Sequence, residues 1–464
     1  CIKENGPRVV KEVVDISVGG RAPKNDPALF VLAACCGAGD DTTRRLALTA
    51  LPDVARIGTH LLHFAEYVQE WRGWGRGLRS AIALWFNNKP VEDLAYQLLK
   101  YQQRDKWAQA DLLRLSHPVP ATKEHDYLYK WVVDSELKST DTLMSIPLLD
   151  GYIKLQGAKE GKAAAEIVAK YRLPMECVPT ELKDSPHVWK AALPHLGLTA
   201  ILRNLGNMSK YGVLKQGSRR TIDFVTGRLL DEKQLRAARI HPIAVLSALN
   251  TYSSGKGVRG SGTWDVVPDI VDALDRAFYL SFGNVEPTNK EIVLALDVSG
   301  SMASGTIAGV PGLTPRVAAA AMAMVTYAVE PKVTVLAFQD EIVPLDISRR
   351  KTLDSVVKAT SNLQFGSTDC AQPMLWAIQN KLPAEAFVVY TDSETWAGHI
   401  HPNQALNKHR NKFGVASKLV VVGMTATEFS IADPNDAGMV NVVGMDTATP
   451  NLISDFISEE VKKS

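Results

Sequence analysis

The chain has 464 residues, 46% hydrophobic and 22% charged, with a net charge of +2. This length is too great for one typical core and predicts two or three domains, and the ordinary apolar and charged content excludes disorder on a large scale. No apolar run is long enough to cross a bilayer: the longest, Val317 to Val329, is alanine-rich, contains Thr326 and Tyr327, and reads as a buried helix.

The charge is unevenly spread. Residues 1–285 hold 38 Lys+Arg against 31 Asp+Glu, residues 286–464 hold 14 against 19, and residues 201–259 hold 11 against 3. A basic half joined to an acidic half suggests that the first meets a polyanion, although a solvated helix surface would explain the charge alone. The five cysteines, Cys1, Cys35, Cys36, Cys177 and Cys370, form no C-x-x-C pair. A zinc ribbon is therefore not expected, and reduced thiols in an intracellular, cytoplasmic protein are. The chain opens at Cys1 without a methionine or a signal-peptide pattern, which leads us to expect a missing upstream segment.

Taken from the N-terminus, the first half reads as helices. Leu61, Phe64, Ala65, Val68 and Trp71 form one apolar stripe, and Val91, Leu94, Ala95, Leu98 and Leu99 form another. Prolines at 27, 52, 90, 118, 147, 174, 194 and 242 punctuate the pattern as starts and ends. The rhythm fits stacked antiparallel helix pairs of HEAT-like type, although no clean self-similarity is visible. Lys100, Arg104 and His117 read as lying on or just after one helix. Positions 100 and 104, four apart, would share a face and offer two cations to adjacent phosphates. For His117, just before Pro118, a helix-end role is the plainer reading. Trp74, Trp85 and Trp107 could stack on bases, but at helical spacing they read more readily as core.

Near residue 286 the period changes. Ile292 to Leu296, Val333 to Phe338, Phe387 to Tyr390 and Leu419 to Val422 are short β-branched runs, separated by helical stretches at Val317–Val329 and Gln372–Gln379. This alternation predicts a parallel α/β sheet. The polar segment Asn284 to Asn289, containing Pro287, reads as the linker. The domains expected are thus a helical-repeat region over 1–285 and an α/β domain over 286–464.

Asp297-Val-Ser299-Gly-Ser301 follows the first strand of the α/β half. Gly366-Ser-Thr368-Asp369 precedes a helix, and Asp392 ends another buried strand. Ligands of such sheets sit at the carboxyl ends of the strands. Oxygens from Asp297, Ser299, Ser301, Thr368 and Asp392 suit Mg²⁺ or another hard divalent cation, which keeps some waters and needs only one or two carboxylates. A D-x-S-x-S stretch alone could be a capped turn. The three segments in order resemble the metal-ion-dependent adhesion site of von Willebrand factor A domains. Asp369 reads as a helix cap.

The whole chain resembles the Ro autoantigen, or TROVE-domain, family of bacterial type. The likeness runs from Gly20–Pro27 to Ile431–Gly438. Its most specific stretches are Trp74–Arg79, Lys100–Arg104, Asp111–His117, Leu202–Gly206, Ala238–Pro242, Thr251-Tyr252, Gly257–Gly260 and Asp392–Thr395. The resemblance implies a multidomain α + α/β fold, a ring of HEAT-like repeats followed by a Rossmann-like von Willebrand factor A domain, with a family segment missing before Cys1. It also implies a monomeric, non-enzymatic protein, not associated with membranes, that binds small Y RNAs and the single-stranded ends of misfolded noncoding RNAs. In bacterial members it implies an exoribonuclease partner.

Positions matching Lys100, Arg104 and His117 take part in RNA binding in the family. Arg76 and Arg79, within a matching motif, are candidates, as are Arg203, Arg239, His241, Lys256 and Arg259 in the most basic stretch. A metal-dependent protein-adhesion scaffold is the alternative reading, and the basic first half favours RNA over it. A Mg²⁺ nuclease would need several carboxylates around paired ions, and Asp297 with Asp392 are too few.

Overall fold

The computed structural model describes residues 1–19, 24–134, 146–258, 261–307, 312–343, 345, 347–348, 351–361, 367–392, 397–425, 431–444 and 449–459. They form two compact units, Cys1–Leu196 and Gly197–Ser464.

The first unit is helical: α1 (Ile2–Val18), α2 (Asp26–Ala38), α3 (Asp41–Val54), α4 (Gly58–Gln69), α5 (Arg76–Asn87), α6 (Val91–Lys100), a hairpin of β1 (Gln103–Arg104) and β2 (Trp107–Ala108), α7 (Gln109–Ser116), α8 (Lys123–Val133), α9 (Pro147–Gln156), α10 (Gly161–Tyr171) and α11 (Pro186–Ala192). Helices two apart in sequence pack together. α1, α3, α5 and α7 stack in one series, and α2, α4, α6 and α8 in another. That two-layer stacking is the repeat architecture the proline rhythm predicted, since each helix pair buries its apolar face on the next. The stripes behave accordingly: Leu61, Phe64, Ala65, Val68, Leu94, Ala95, Leu98 and Leu99 are buried. Trp71 departs from its stripe because α4 ends before it, and it is 41% exposed.

Pro27, Pro147 and Pro242 open helices, where a missing N–H costs nothing. Pro52 instead lies inside α3, two residues before its end. Trp85 is fully buried, and Trp74 and Trp107 are half-buried against the same core.

The second unit begins with more helices: α12 (Leu198–Lys210), α13 (Arg219–Leu229), α14 (Glu232–Ala237), α15 (Pro242–Ser253) and α16 (Pro268–Leu280). The α/β part follows as β3 (Ile292–Asp297), α17 (Pro315–Val329), β4 (Val333–Phe338), β5 (Ile342–Val343), α18 (Leu353–Ser361), α19 (Gln372–Gln379), β6 (Ala386–Thr391), α20 (Pro402–Phe413), β7 (Lys418–Gly423), β8 (Met439–Val443) and α21 (Thr449–Ser458). The sheet order is β5-β4-β3-β6-β7-β8, and every pairing is parallel except β4 with β5.

β3, β6 and β7 are buried along their whole length, as continuous apolar runs between two helical layers must be. One face carries Val293, Ala295, Phe387 and Val389 against α19 and α20. The other carries Leu294, Val388 and Tyr390 towards α17 and α21. The polar segment before β3 is fixed rather than free: the amides of Thr288 and Asn289 donate to the buried Glu330 carboxylate at 2.7 and 3.1 Å. The amide of Leu353 also donates to the Tyr279 hydroxyl at 3.0 Å, joining α16 to the α/β part. Among the described residues no helix is long and apolar enough to cross a membrane.

Candidate functional site

Parallel register brings the predicted metal residues together. Asp297 ends β3 opposite Phe338 of β4, and Leu296 lies opposite Tyr390 of β6, so Asp297 and Asp392 leave neighbouring central strands at the same edge. Asp297 is 2% exposed. Its Oδ1 accepts from the Ser299 amide at 2.8 Å, and its Oδ2 from the Thr391 hydroxyl at 2.6 Å. Burial pushes this carboxyl above its ordinary range, partly offset by those bonds. The Ser299 and Ser301 hydroxyl oxygens lie 3.1 Å apart, and the Ser301 hydroxyl donates to Asp392 Oδ1 at 3.0 Å.

Thr368 stands at the same sheet edge by a shorter chain of contacts. The next residue, Asp369, donates its amide to the carbonyl of Gln339, which follows β4, and the Thr368 carbonyl accepts from the Ala397 amide. Asp369 is a buried cap: Oδ1 accepts from the Ala371 amide at 3.0 Å and Oδ2 from the Gln372 side chain at 2.8 Å. The oxygen-only donor set, with two carboxylates and clustered hydroxyls, fits a hard divalent cation. Among the described residues no group of three or more His, Cys, Asp or Glu side chains is placed to hold a metal. A carboxylate-rich two-ion centre therefore has no counterpart there.

Two neighbours of this centre escaped the sequence reading. Thr391 bonds Asp297 directly, and its position beside Asp392 was the available signal. Arg316, a lone charge heading an alanine-rich helix, lies beneath the Ser299 carbonyl.

The candidate RNA cations of the first unit are arranged differently from the sequence reading. α6 ends at Lys100, and Arg104 stands on the β1–β2 hairpin, so the two do not share a helix face. The hairpin turns through Asp105 (φ 49) and Lys106 (φ 68), two consecutive positive φ values characteristic of tight hairpins. Asp105 pairs with His63, and the Trp107 indole donates to Glu66 Oε2 at 2.9 Å, fixing the hairpin to α4.

Arg104 is left 61% exposed at the side chain, with Asp105 4.0 Å away. Lys100 is half-buried, donates to the Tyr96 hydroxyl at 3.0 Å and lies over the Tyr96 and Tyr101 rings. Burial opposes its charge, but the Tyr96 bond and the electrostatic support of Tyr101, Tyr96 and Glu176 outweigh it and raise its pKa. His117 is exposed and caps α7 in the left-handed conformation (φ 46). It is thus the end of the following helix, not of the one carrying Lys100. Arg76 and Arg79 are exposed in the first turn of α5, where the helix dipole is also positive.

In the second unit Arg203, Arg239 and Lys256 are exposed, and Arg259 lies outside the described residues. Arg203 and Lys210 lie seven apart on α12, hence on one face, and a Cβ on Gly262 would come within 3.9 Å of Lys210 Nζ. Gly262 belongs to the loop carrying Lys256, closed by the Gly257 amide to the Gly262 carbonyl at 2.7 Å. The loop is held from below. The Trp264 ring stacks on Tyr252 at 6.1 Å, and the Tyr252 hydroxyl bonds Ser209 at 2.7 Å. Gly206 allows the approach, since a Cβ there would meet the Trp264 ring at 2.7 Å. Lys210 is a candidate cation that only this packing reveals.

His241 differs from the others. It is 8% exposed, its Nδ1 accepts from the Ile243 amide at 3.2 Å, and its Nε2 has no partner among the described residues. Burial pushes its pKa down to about 4, so it brings no positive charge near neutral pH.

A TROVE domain model matches residues 3–142 and 173–251, and a Ro60 vWA domain model matches residues 291–457. RNA-binding protein RO60 of Deinococcus radiodurans is 45% identical over 461 residues, 99% of this chain and 86% of that protein. RNA-binding protein RO60 of Caenorhabditis elegans is 33% identical over 533 aligned positions, 98% of this chain and 82% of that protein. The crystal structure of the D. radiodurans RO (RSR) protein superposes with a TM-score of 0.91, covering 98% of this chain and 92% of that one. With both domain models and near-full-length relatives in agreement, the chain belongs to the Ro60 family.

Proposed function

We propose that this protein binds RNA without cleaving it, taking small Y RNAs and the single-stranded ends of misfolded noncoding RNAs as ligands. The observation that carries the reading is the 45% identity over 99% of the chain to a relative named as an RNA-binding protein. The exposed cations support it: Arg76, Arg79 and Arg104 in the first unit, together with the exposed His117, and Arg203, Arg239 and Lys256 in the second, with Lys100 held ready between two phenols. Such contacts read phosphate rather than sequence, so structured RNA is recognised chiefly by its charge and form. Arg259 belongs to the same proposed set by its place in the basic stretch, and His241, buried and neutral, would act by capping the start of α15 rather than by touching RNA.

The α/β domain adds a divalent cation, Mg²⁺ in the cell, held by Asp297, Ser299, Ser301, Thr368 and Asp392. Neutral hydroxyl ligands leave such an ion able to accept a carboxylate from a protein partner, and an exoribonuclease is the partner that suits RNA handling. The protein acts as a monomer in the cytoplasm.

Gel-shift titration of one RNA stem, blunt or with a 3′ single-stranded tail, tests the RNA reading in the presence of Mg²⁺. The tailed stem binds more tightly and both RNAs emerge intact. Equal affinity would remove the preference for free ends, absence of binding would remove the function, and cleavage lost in Asp392→Ala would make the protein a nuclease.

A further inference from the structure

Arg316 is charged, 7% exposed, and placed in the first turn of α17. Both circumstances oppose a cation: burial removes its water, and the helix N-terminus is itself positive. What partly offsets them lies on the metal side of the helix. One guanidinium nitrogen donates to the Ser299 carbonyl at 3.3 Å, and the buried Asp297 carboxylate favours the guanidinium's charge. Another nitrogen donates to the Ser361 hydroxyl at 3.3 Å, at the end of α18. The side chain is thus fixed behind the loop that carries Ser299 and Ser301, inside a low-dielectric layer where charges are poorly screened.

We infer that Arg316 is a built-in counter-cation of the metal centre, partly neutralising its two carboxylates and holding down its affinity for a divalent ion. The inference rests on the proposed metal reading and deepens it. With Asp297 and Asp392 ionised the centre carries two negative charges, and Arg316 offsets part of that charge before any ion arrives. A divalent ion therefore enters against a fixed positive charge. The plainer alternative is a purely structural tie between the loop, α17 and α18, in which the charge of residue 316 is irrelevant to the ion.

Two substitutions in the full-length protein separate these cases. Arg316→Met and Arg316→Lys both lose the forked bonds to Ser299 and Ser361, but only the second keeps the charge. Mn²⁺ binding measured by calorimetry should be tighter in Arg316→Met than in Arg316→Lys by about tenfold or more, because one buried unit charge opposes a divalent ion. Thermal melts in EDTA should show Arg316→Met less stable than Arg316→Lys, with Mn²⁺ restoring more of the loss in the Met variant. Should Arg316→Met fold only when Mn²⁺ is supplied, the ion has replaced the missing cation, and the inference stands. Failure of both Arg316→Met and Arg316→Gln to fold with or without Mn²⁺ would make the residue structural and overturn it. Equal Mn²⁺ affinity of the Met and Lys variants overturns it while leaving the metal centre intact. Lack of Mn²⁺ binding by wild type and every variant removes the metal reading, and the inference with it.

Discussion

Arg104→Ala offers a clean test of where RNA phosphates are met. The side chain is 61% exposed and its nearest carboxylate, Asp105, stands 4.0 Å away. A surface pair of that kind contributes at most about 1 kcal/mol to stability, so the variant should melt like wild type. If the guanidinium meets a phosphate, the lost charge-assisted bond is worth about 1.5 kcal/mol or more, roughly tenfold in affinity. Lys100→Ala should weaken RNA similarly but also cost about 1 kcal/mol of stability, because Lys100 bonds Tyr96 and lies over two rings. The double variant releases two fewer counterions, so the slope of log affinity against log salt should become shallower by about 1.4 to 1.8. Fluorescence anisotropy titrations of a Y-RNA-like stem at several salt concentrations read both quantities. Parallel slopes for wild type and double variant would refute phosphate contact at the hairpin, even if affinity fell.

Asp297→Ala should abolish Mg²⁺ or Mn²⁺ binding in calorimetry while circular dichroism stays helical, and retained ion affinity would move the metal elsewhere. Acid should destabilise the protein through His60 and His241, whose pKa values burial depresses to about 4. Each uses its Nδ1 lone pair as an acceptor, from Asn25 Nδ2 and from the Ile243 amide, so protonation breaks a bond. Their contribution is complete above the unfolded value of about 6.5 and is lost as pH falls through 4, by up to about 3 kcal/mol for His241. Melting curves between pH 7 and 4 check this, and a His241→Gln variant with an unchanged acid slope would contradict it. In the native state a thiol reagent should modify Cys1 alone, because Cys35, Cys36, Cys177 and Cys370 are buried and burial pushes Cys36 and Cys177 up to about 12. Rapid native labelling of a second thiol would contradict this burial.

The α/β half was legible because its signals are local. Runs such as Ile292–Leu296, alternating with helical stretches, suit a parallel sheet covered on both faces, and strand-end acids such as Asp297 and Asp392 then converge by register. The helical stripes were legible for the same reason, down to Leu94, Ala95, Leu98 and Leu99. The β1–β2 hairpin was not. A two-residue turn with positive φ at both positions is usually announced by Asn-Gly or Asp-Gly, whereas here Asp105 and Lys106 occupy it. The His63–Asp105 pair and the Glu66–Trp107 bond help hold that conformation, and both join residues about forty positions apart. Reading positions 100 and 104 as one helix face followed from treating the spacing as local when a long-range anchor decides it.

The segment around Pro287 shows the same limit with consequences for charge. Polar composition suggested a linker, and in the structure Glu330 binds it while Tyr279 bonds the amide that opens α18. The basic helices from residue 197 onward therefore belong to the same compact unit as the acidic α/β part. Their cations and the strand-end carboxylates belong to one folded unit. Arg203 on α12 and Lys256 on its loop are exposed, whereas Asp297 stands buried at the end of the central strand β3. Arg316 already offsets part of that acidity from inside. On the proposed reading, cations on helix faces and carboxylates at strand ends would give one unit both an RNA surface and a metal site, an arrangement the net charge of +2 conceals.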